Sequence, residues 1–264
     1  MERGSPVALA AATLWWRELV RFYRYRSRVI GALGTPLVFW LLLGAGIGKS
    51  FRVDPPGGGT SYLTYFFPGT ALLVVLFTSI FCMMSVIEDR REGFLQSVLV
   101  APVGPAGLVL GKVAGGATLA ALQGLLFVLL APLAGVPLGL VSLLLVAGWL
   151  FLVAVGLTAL GFVVAWRLDS TQGFHAVVNL FLIPMWLLSG ALFPSAGASE
   201  WVRWLMRVNP LTYAMGGLRQ LLYWPQPVAG VEGPSLGVAL AVTVSFALLT
   251  VLAAFRLASR PTTM

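Results

Sequence analysis

Six long apolar runs dominate this sequence, and they limit the folds open to it more than any other feature. Each run has about 20 residues or more, the length that an α-helix needs to cross the roughly 30 Å hydrocarbon core of a membrane. Only 10% of the residues are charged, whereas soluble domains carry about 25%. We therefore predict an all-α integral membrane protein with a single transmembrane domain, residues 1–264. Its six transmembrane helices are expected at residues 29–48, 66–87, 113–135, 139–166, 173–193 and 235–255.

The distribution of basic residues predicts how these spans are oriented. An even number of spans places both termini on one side, and 12 of the 17 lysines and arginines then lie on that side. Because positively charged loops stay in the cytoplasm, we predict a multi-pass protein of the cytoplasmic (inner) membrane with both termini in the cytoplasm. The net charge of +8 is spread beside the spans, which favours contact with membrane lipid headgroups and no nucleic acid.

The N-terminal segment, residues 1–28, predicts an amphipathic helix that lies in the membrane interface. Residues 9–28 combine aromatic side chains with regularly spaced arginines. In an interfacial helix the apolar side chains face the acyl chains and the basic side chains face the lipid phosphates. The side expected to face the acyl chains holds Trp15, Trp16, Leu19, Phe22 and Tyr23, and the side expected to face the phosphates holds Arg17, Arg21, Arg24, Arg26 and Arg28.

The predicted spans contain few groups that could do chemistry. None of them holds Asp, Glu, Lys or Arg, and Lys112 lies just outside the third span. His175 is the one titratable candidate inside a span. Ion-coupled carriers need ionisable groups at mid-depth, so a secondary transporter is disfavoured. Cys82 is the only cysteine, which rules out a disulfide within the chain and leaves it without a partner as a metal ligand. We predict no catalytic residue and neither metal nor cofactor bound by this chain.

Glycines near the end of the first span mimic a nucleotide site without forming one. Residues 44–50 resemble a phosphate-binding loop, but Leu43 stands where the motif requires its first glycine. Glycines four residues apart more often allow two helices to pack closely in a membrane. Two glycine pairs have this spacing, Gly44 with Gly48 and Gly111 with Gly115.

The segment between the second and third spans, residues 88–103, is dense in charge and amphipathic. Each charge at the centre of a bilayer would cost roughly 2.5 to 3.5 kcal/mol, so the segment is expected on the watery side. Since the spans hold no energy-coupling residue, the energy for uphill transport must come from outside the chain. We interpret the segment as the docking site of a partner ATPase, the alternative being a loop that only joins two spans.

The segment between the fifth and sixth spans, residues 194–224, alternates polar and aromatic residues. Trp201 and Trp204 have helical spacing, and Asn209 followed by Pro210 interrupts that helix. We predict two short re-entrant helices that dip into the outer leaflet, where tryptophan and tyrosine are favoured. The alternative is an ordinary interfacial loop with no role in transport.

In three parts the chain resembles the membrane permease subunits of type-2 ATP-binding-cassette exporters. One part is the arginine-rich N-terminal helix, and the other two are the segments that flank the third span and the end of the fifth. Phe94 and Gln96 depart from the family pattern, which has threonine and an acidic residue there. The matching positions are Glu88, Glu92, Gly93, Leu95, Val98 to Val100, Pro102, Val103, Gly111 and Lys112, then Leu187 to Pro194, Asn209 to Tyr213, and Arg219.

The resemblance implies a division of labour between subunits. In that family the segment corresponding to 88–103 forms a coupling helix seated in a groove of the ATPase, and two permeases work with two ATPases. ATP and Mg would then be bound by the partner ATPase. The residues implied in coupling are Glu88, Arg91, Glu92, Gly93, Leu95, Val98, Leu99 and Pro102, and those implied in structure or gating are Gly111, Lys112, Ser189, Gly190, Pro194, Asn209, Pro210 and Arg219.

The function predicted from these features is that of a non-enzymatic permease subunit of an ATP-driven exporter, working as a homodimer or close heterodimer. Uncharged apolar walls suit an amphipathic or hydrophobic cargo, such as a drug-like or lipid-linked compound. The alternatives are a permease for polysaccharide or glycolipid export and a membrane assembly scaffold without transport activity. A stoichiometric ATPase partner whose hydrolysis responds to cargo distinguishes either exporter from the scaffold.

Overall fold

The computed structural model describes residues 6–24, 26–47, 61–100, 104–225 and 233–260. Within these ranges the chain is helical and contains no strand, which confirms the prediction of an all-α membrane protein. The helices described are α1 (Pro6–Arg24), α2 (Arg26–Ile47), α3 (Tyr62–Cys82), α4 (Met84–Arg91), α5 (Phe94–Val100), α6 (Gly104–Val128), α7 (Leu140–Arg167), α8 (Thr171–Val177), α9 (Ile183–Trp186), α10 (Glu200–Val208), α11 (Pro210–Leu222) and α12 (Leu236–Ala258).

Five helical stretches are long and apolar enough to cross a membrane, and α2 is the exception among the predicted spans. Its apolar part, Gly34–Gly46, is shorter than the other five, and the loop that follows it lies outside the described residues. The first span therefore remains a prediction. The five long stretches are Tyr62–Arg91, Gly104–Val128, Leu140–Arg167, Thr171–Ala191 and Leu236–Ala258.

Helix α6 begins earlier than the sequence predicts. The apolar run suggests a start at residue 113, but the helix begins at Gly104 and ends at Val128. Lys112 therefore lies more than two turns inside the helix, and its side chain is fully buried. The apolar run alone misplaces the start of this helix, because a charged residue that has buried partners can lie inside a helix.

The stretch Tyr62–Arg91 is the centre of the bundle, and the other spans are arranged around it. It is the most buried of the five, whereas Leu236–Ala258 is the least buried and packs mainly on α7 and α11. Helix α1 lies along α6. A Cβ atom on Gly111 would come within 2.6 Å of Leu14 Cβ, and one on Gly115 within 2.8 Å of Glu18 Cβ. These two glycines permit the close approach of the helices, as their four-residue spacing predicts.

The segment at 88–103 is divided rather than continuous. Helix α4 carries the second span as far as Arg91, and Gly93 then adopts a φ of +74° that turns the chain into α5. Glycine suits this left-handed conformation because it has no Cβ atom. The single helix predicted over these residues is therefore wrong for residues 88–91, which continue the span.

The fifth span is irregular along its length. After α8 the chain makes a π-helical turn at Val178–Leu182, and after α9 a second one at Leu187–Ala191. Gly190 lies inside the second turn and has a φ of +82°. Beyond it, α10 and α11 are separated at Asn209, which is extended and caps α11. Where the regular helix is interrupted, backbone carbonyl groups need donors from elsewhere in the protein.

Candidate functional site

A buried cluster of charged side chains joins three helices at one end of the bundle, which we call the charged end. Lys112 of α6 lies at its centre and donates hydrogen bonds to Glu18 Oε1 of α1 (2.6 Å), to Ser85 Oγ of α4 (2.9 Å) and to Asp89 of α4. The Ser85 hydroxyl donates in turn to Glu18 Oε2 at 3.0 Å. All four side chains are almost inaccessible to solvent.

Two arginines of α1 complete this cluster on its outer side. Arg17 donates two hydrogen bonds to the Asp89 carboxylate, at 3.0 and 2.7 Å, and this contact raises the pKa of Arg17 above its ordinary value. Arg21 bridges Asp89 Oδ1 at 2.9 Å and Glu88 Oε2 at 2.5 Å. Two of the five arginines predicted to face lipid phosphates therefore face carboxylates of the same chain. The ion-pair cluster consists of Arg17, Glu18, Arg21, Glu88, Asp89 and Lys112.

The ion-pair cluster is electrically neutral, because it contains three acidic and three basic side chains. Charges removed from water are tolerated when they are paired and their remaining donors and acceptors are satisfied. Breaking a single pair leaves an uncompensated charge and is strongly destabilising. The cluster therefore fixes α1, α4 and α6 to one another and offers no free charge to a ligand.

Sequence reasoning missed most of this cluster, although two signals were present. Glu18 is the only acidic residue of α1, and an acidic residue in such a helix has to face a basic one. Lys112 lies between two glycines at 111 and 115, which is the surrounding expected where another helix approaches. Sequence separation hid the pairing, since Glu18 and Lys112 are 94 residues apart.

The turn between α4 and α5 lies next to the ion-pair cluster and is partly exposed. Arg91 and Glu92 are exposed at the turn itself. Leu95, in contrast, is buried in the core of this chain, and Val98 packs against that core. Leu95 is therefore not free to anchor a partner, contrary to the prediction for this residue. The side chain of Leu99 and the whole of Pro102 are not among the described parts of the chain.

Two arginines attach this turn to the connection between α7 and α8. Arg90 donates to the carbonyl oxygens of Trp166 (2.6 Å) and Leu168 (3.3 Å) and forms an ion pair with Asp169 at 3.1 Å. Arg91 donates to the Asp169 carbonyl oxygen at 2.7 Å. Since the carbonyl groups at the end of α7 have no partner within their own helix, the arginines cap it. If the turn moved, these contacts would move the adjoining ends of the fourth and fifth spans with it.

At the opposite end of the bundle, side chains supply the donors that the irregular fifth span lacks. The Asn209 amide donates to the Met185 carbonyl oxygen at 2.6 Å, and the Thr212 hydroxyl donates to Leu188 at 3.2 Å. In a membrane a carbonyl freed from its helix must find another donor. The break at Asn209 and Pro210 thus stabilises the fifth span as well as separating α10 from α11.

Gly190 is the point at which most of these contacts meet. Its carbonyl oxygen accepts from Arg219 (2.8 Å) and from the Tyr65 hydroxyl (3.0 Å), and the Arg219 guanidinium lies 4.3 Å from the centre of the Tyr65 ring. Ser189 is buried and donates to the Trp186 carbonyl oxygen at 2.6 Å. Pro194 follows in extended conformation outside this group of contacts.

Comparison with known proteins bears on what such an arrangement does. A family model described as ABC-2 type transporter matches residues 10–223. That range takes in the ion-pair cluster, the α4–α5 turn and the contacts around Gly190. This chain belongs to the ABC-2 type transporter family.

Relatives of this ABC-2 chain include permeases from several sources. The transport permease ycf38 of Cyanophora paradoxa is 28% identical over 211 residues, covering 78% of this chain and 71% of that protein. Nodulation protein J of Rhizobium meliloti is 28% identical over 215 residues, covering 79% of each. The inner membrane transport permease YadH of Escherichia coli is 24% identical over 214 residues, covering 80% of this chain and 82% of that protein.

A cavity of about 470 Å³ opens in this ABC-2 transporter chain beside the charged end. Its walls come from α1, α2, α3, α4 and α8 and are mainly apolar and aromatic, with His175 and Cys82 among the few polar groups. The His175 ring lies 5.1 Å from that of Phe81. Among the described residues no group of His, Cys, Asp and Glu could hold a metal ion.

Proposed function

We propose that this chain is the permease subunit of an ATP-driven exporter, and that a separate ATP-binding-cassette ATPase docks on the turn between α4 and α5. One observation carries the proposal: charged side chains beside the exposed turn at Arg91 and Glu92 tie it to three other helices, α1, α6 and α7. A rigid attachment of this kind passes on a displacement instead of absorbing it. ATP and Mg would be held by the ATPase, whose closure moves the turn.

The orientation follows from this docking. The charged end faces the cytoplasm, where the ATPase is found, and α10 and α11 lie at the outer side. On α10, Trp201, Trp204 and Val208 are exposed on one face, a pattern typical of a helix lying in a membrane interface. The membrane in question is the cytoplasmic (inner) membrane, and two copies of the chain form the translocation pathway.

The cargo in this proposal is an amphipathic or hydrophobic compound. The cavity beside the charged end supports it, since its walls are mainly apolar and about 470 Å³ lies within the range of roughly 300 to 1,000 Å³ of sites for drug-sized ligands. An amphipathic molecule could enter such a cavity from the adjoining leaflet. Glycolipid or polysaccharide cargo is the competing possibility, to which the exposed rings of Trp201 and Trp204 could contribute by stacking on sugars.

Co-purification with the ATPase tests this proposal. The tagged chain is expressed together with a candidate ATP-binding-cassette subunit, purified in mild detergent and returned to vesicles. We expect an equimolar complex whose ATP hydrolysis rises when amphipathic compounds are added. A chain that purifies alone, or a complex whose hydrolysis ignores every cargo class, would support the scaffold instead. Stimulation by oligosaccharide-linked lipid alone would select the glycolipid alternative.

A further inference from the structure

Three exposed arginines lie where two neighbouring spans end, and the contacts described above do not involve them. Arg167 is the last residue of α7, Arg256 lies in the last turn of α12, and Arg260 follows that helix by two residues. Among the residues that the structure describes, none of the three side chains forms an ion pair or a hydrogen bond. We call these residues the arginine group.

Helices α7 and α12 run side by side in the same direction, so both end at the same end of the bundle. Both begin beside α11. The Ser142 hydroxyl of α7 donates to the Leu221 carbonyl oxygen at 2.7 Å, and the carbonyl oxygen of Pro234, just before α12, accepts from Gln220 at 2.8 Å. The far end of α7 is the one that Arg90 caps. The arginine group therefore lies at the charged end.

The packing of these two helices brings the three arginines together. A Cβ atom on Gly156 would come within 2.9 Å of the Phe246 ring, so these two residues lie at the same depth. Arg167 follows Gly156 by 11 residues, which is about three helical turns and places it on the same side of α7, towards α12. The same step of 11 residues from Phe246 ends between Arg256 and Arg260. All three arginines are therefore at one depth on adjoining helices.

Apolar side chains extend the arginine group along the lipid-facing side of α12. Leu249 and Leu252 precede Arg256 by seven and four residues, which places all three on one side of the helix, and the leucines are 67% and 52% exposed. Arg256 is 20 residues beyond Leu236, where α12 begins, and this length corresponds to about 30 Å, the thickness of the hydrocarbon core. We therefore expect the leucines beside acyl chains and the arginines among headgroups.

Within the described part of the chain, the acidic side chains at this end are engaged elsewhere. Asp169 is close in sequence to Arg167, but its carboxylate forms an ion pair with Arg90 at 3.1 Å. The carboxylates of the ion-pair cluster are bound by the cations of that cluster, and Glu92 acts electrostatically on Arg17 of α1. Like charges at short distance repel one another, so an anion from outside the chain would stabilise the arginine group.

We propose that the arginine group binds the phosphate of an anionic phospholipid, which bridges the ends of α7 and α12. A free phosphate ion accounts for the arginines but not for the exposed leucines aligned with them, whereas a phospholipid matches both. The planar guanidinium group suits phosphate because it can donate two hydrogen bonds at once. The bound lipid holds the end of α12, the least buried of the five spans, against α7.

Native mass spectrometry tests this lipid site. The delipidated chain in mild detergent is titrated with dioleoyl phosphatidylglycerol, and the bound lipid molecules are counted. Each arginine near an anionic lipid surface contributes about 1 kcal/mol, so Arg167→Gln, Arg256→Gln and Arg260→Gln should each weaken binding about fivefold, and the triple variant roughly a hundredfold. Arginine to lysine at all three positions keeps the charge and should retain most of the affinity. Phosphatidylcholine and glycerol 3-phosphate should bind the unsubstituted chain far more weakly.

Two arginines at the opposite end of the bundle provide a matched control. Arg203 and Arg207 are exposed on α10 and four residues apart, as Arg256 and Arg260 are, but Glu200 precedes them by one turn. The double variant Arg203→Gln with Arg207→Gln should leave the affinity for phosphatidylglycerol nearly unchanged. Thermal unfolding verifies that the variants are folded: without added lipid all should unfold alike, and phosphatidylglycerol should stabilise the unsubstituted chain but not the triple glutamine variant.

Each of four results would overturn this lipid site. Equal losses from the α10 pair and the α12 pair would mean that any exposed arginine attracts the lipid. Unchanged affinity in Arg167→Gln would mean that α7 takes no part and that no bridge forms. Equal binding of phosphatidylcholine would mean that the arginines do not select an anionic lipid, and equal binding of glycerol 3-phosphate would indicate a site for soluble phosphate. None of these results bears on the docking of the ATPase, which co-purification tests separately.

Discussion

Lys112 shows how one residue can hold the charged end together. Its ammonium group has two carboxylates and a hydroxyl around it, and none of these groups is accessible to solvent. The lysine can stay buried because Glu18, Ser85 and Asp89 replace the water molecules that would otherwise hydrate its ammonium group. What matters for stability is the balance of charges, so removal of a single charge should be far worse than removal of a matched pair.

Lys112→Met should lower the free energy of unfolding by about 3 to 5 kcal/mol, because Glu18 and Asp89 then repel each other in a buried site. Thermal unfolding in detergent measures this loss. The double variant Lys112→Met with Glu18→Gln keeps the cluster neutral and should recover much of the stability. Arg256→Met, at an exposed position, should change stability by less than about 0.5 kcal/mol. Equal losses in the single and double variants would contradict this account.

Arg219 has a comparable role at the opposite end. Arg219→Met removes a hydrogen bond to the Gly190 carbonyl oxygen and the contact with the Tyr65 ring, and we expect a loss of about 1 to 3 kcal/mol. Arg203 is exposed on α10, so Arg203→Met is the matched control and should be nearly neutral. Both values can be read from the same thermal unfolding series. A similar loss in both variants would mean that arginine at this side acts only through lipid headgroups.

At the scale of helices, the α4–α5 turn combines exposure with firm attachment. Its exposed part is small, comprising Arg91 and Glu92, with Gly93 half-buried after them, while α5 packs against the core through Leu95. The turn is held on one side by the ion-pair cluster and on the other by the end of α7. Changes at the exposed positions should therefore affect coupling without affecting the fold.

Glu92→Lys and Gly93→Pro should each abolish transport and uncouple ATP hydrolysis from cargo while leaving membrane insertion intact. The first reverses a charge on the proposed docking surface, and the second forbids the φ of +74° that the turn requires. The measurements are cargo-stimulated hydrolysis and the amount of chain in the membrane. Glu200→Lys, at an exposed position of α10, is the control and should retain coupling. Normal export by both turn variants would disprove the coupling role.

The packing of α1 on α6 can be tested through its glycines. Gly115→Leu would place a side chain where Glu18 Cβ lies, and we expect it to displace α1 and to cost about 1 to 3 kcal/mol by overpacking. Gly148 has no atom within 4 Å of its would-be Cβ, so Gly148→Leu should be neutral or slightly stabilising. Thermal unfolding compares the two. Indistinguishable behaviour would show that α1 does not need this close approach.

For the whole molecule, the predictions concern which end of the bundle faces which side of the membrane. The two ends differ in character, since one holds the ion-pair cluster and the other holds an irregular span supported by side-chain donors. An exporter driven by a cytoplasmic ATPase needs the charged end inside. The same orientation follows from the excess of basic residues on that side of the spans.

Labelling of single cysteines should establish this orientation. In the Cys82→Ala background, Ser199→Cys should react with an impermeant maleimide in intact cells, since Ser199 is exposed before α10. Ser97→Cys, exposed on α5, should react only after the cells are opened. The ratio of labelling before and after opening is the quantity measured. The reverse pattern would place α5 outside and rule out docking of a cytoplasmic ATPase on this turn.

The sequence by itself determined the helical membrane class, the approximate position of five spans and the break at Asn209, because these depend on local properties: apolar length and proline geometry. It also placed a charged segment at residues 88–103 between the second and third spans, but not the turn at Gly93 that divides it. Only the tertiary structure decided that Leu95 points into the core and that the α1 arginines bind Asp89 and Glu88. The same is true of Lys112, which lies buried inside α6. These facts depend on partners up to 94 residues apart in the chain. Local composition does not indicate which distant charged side chain will pair with a buried one.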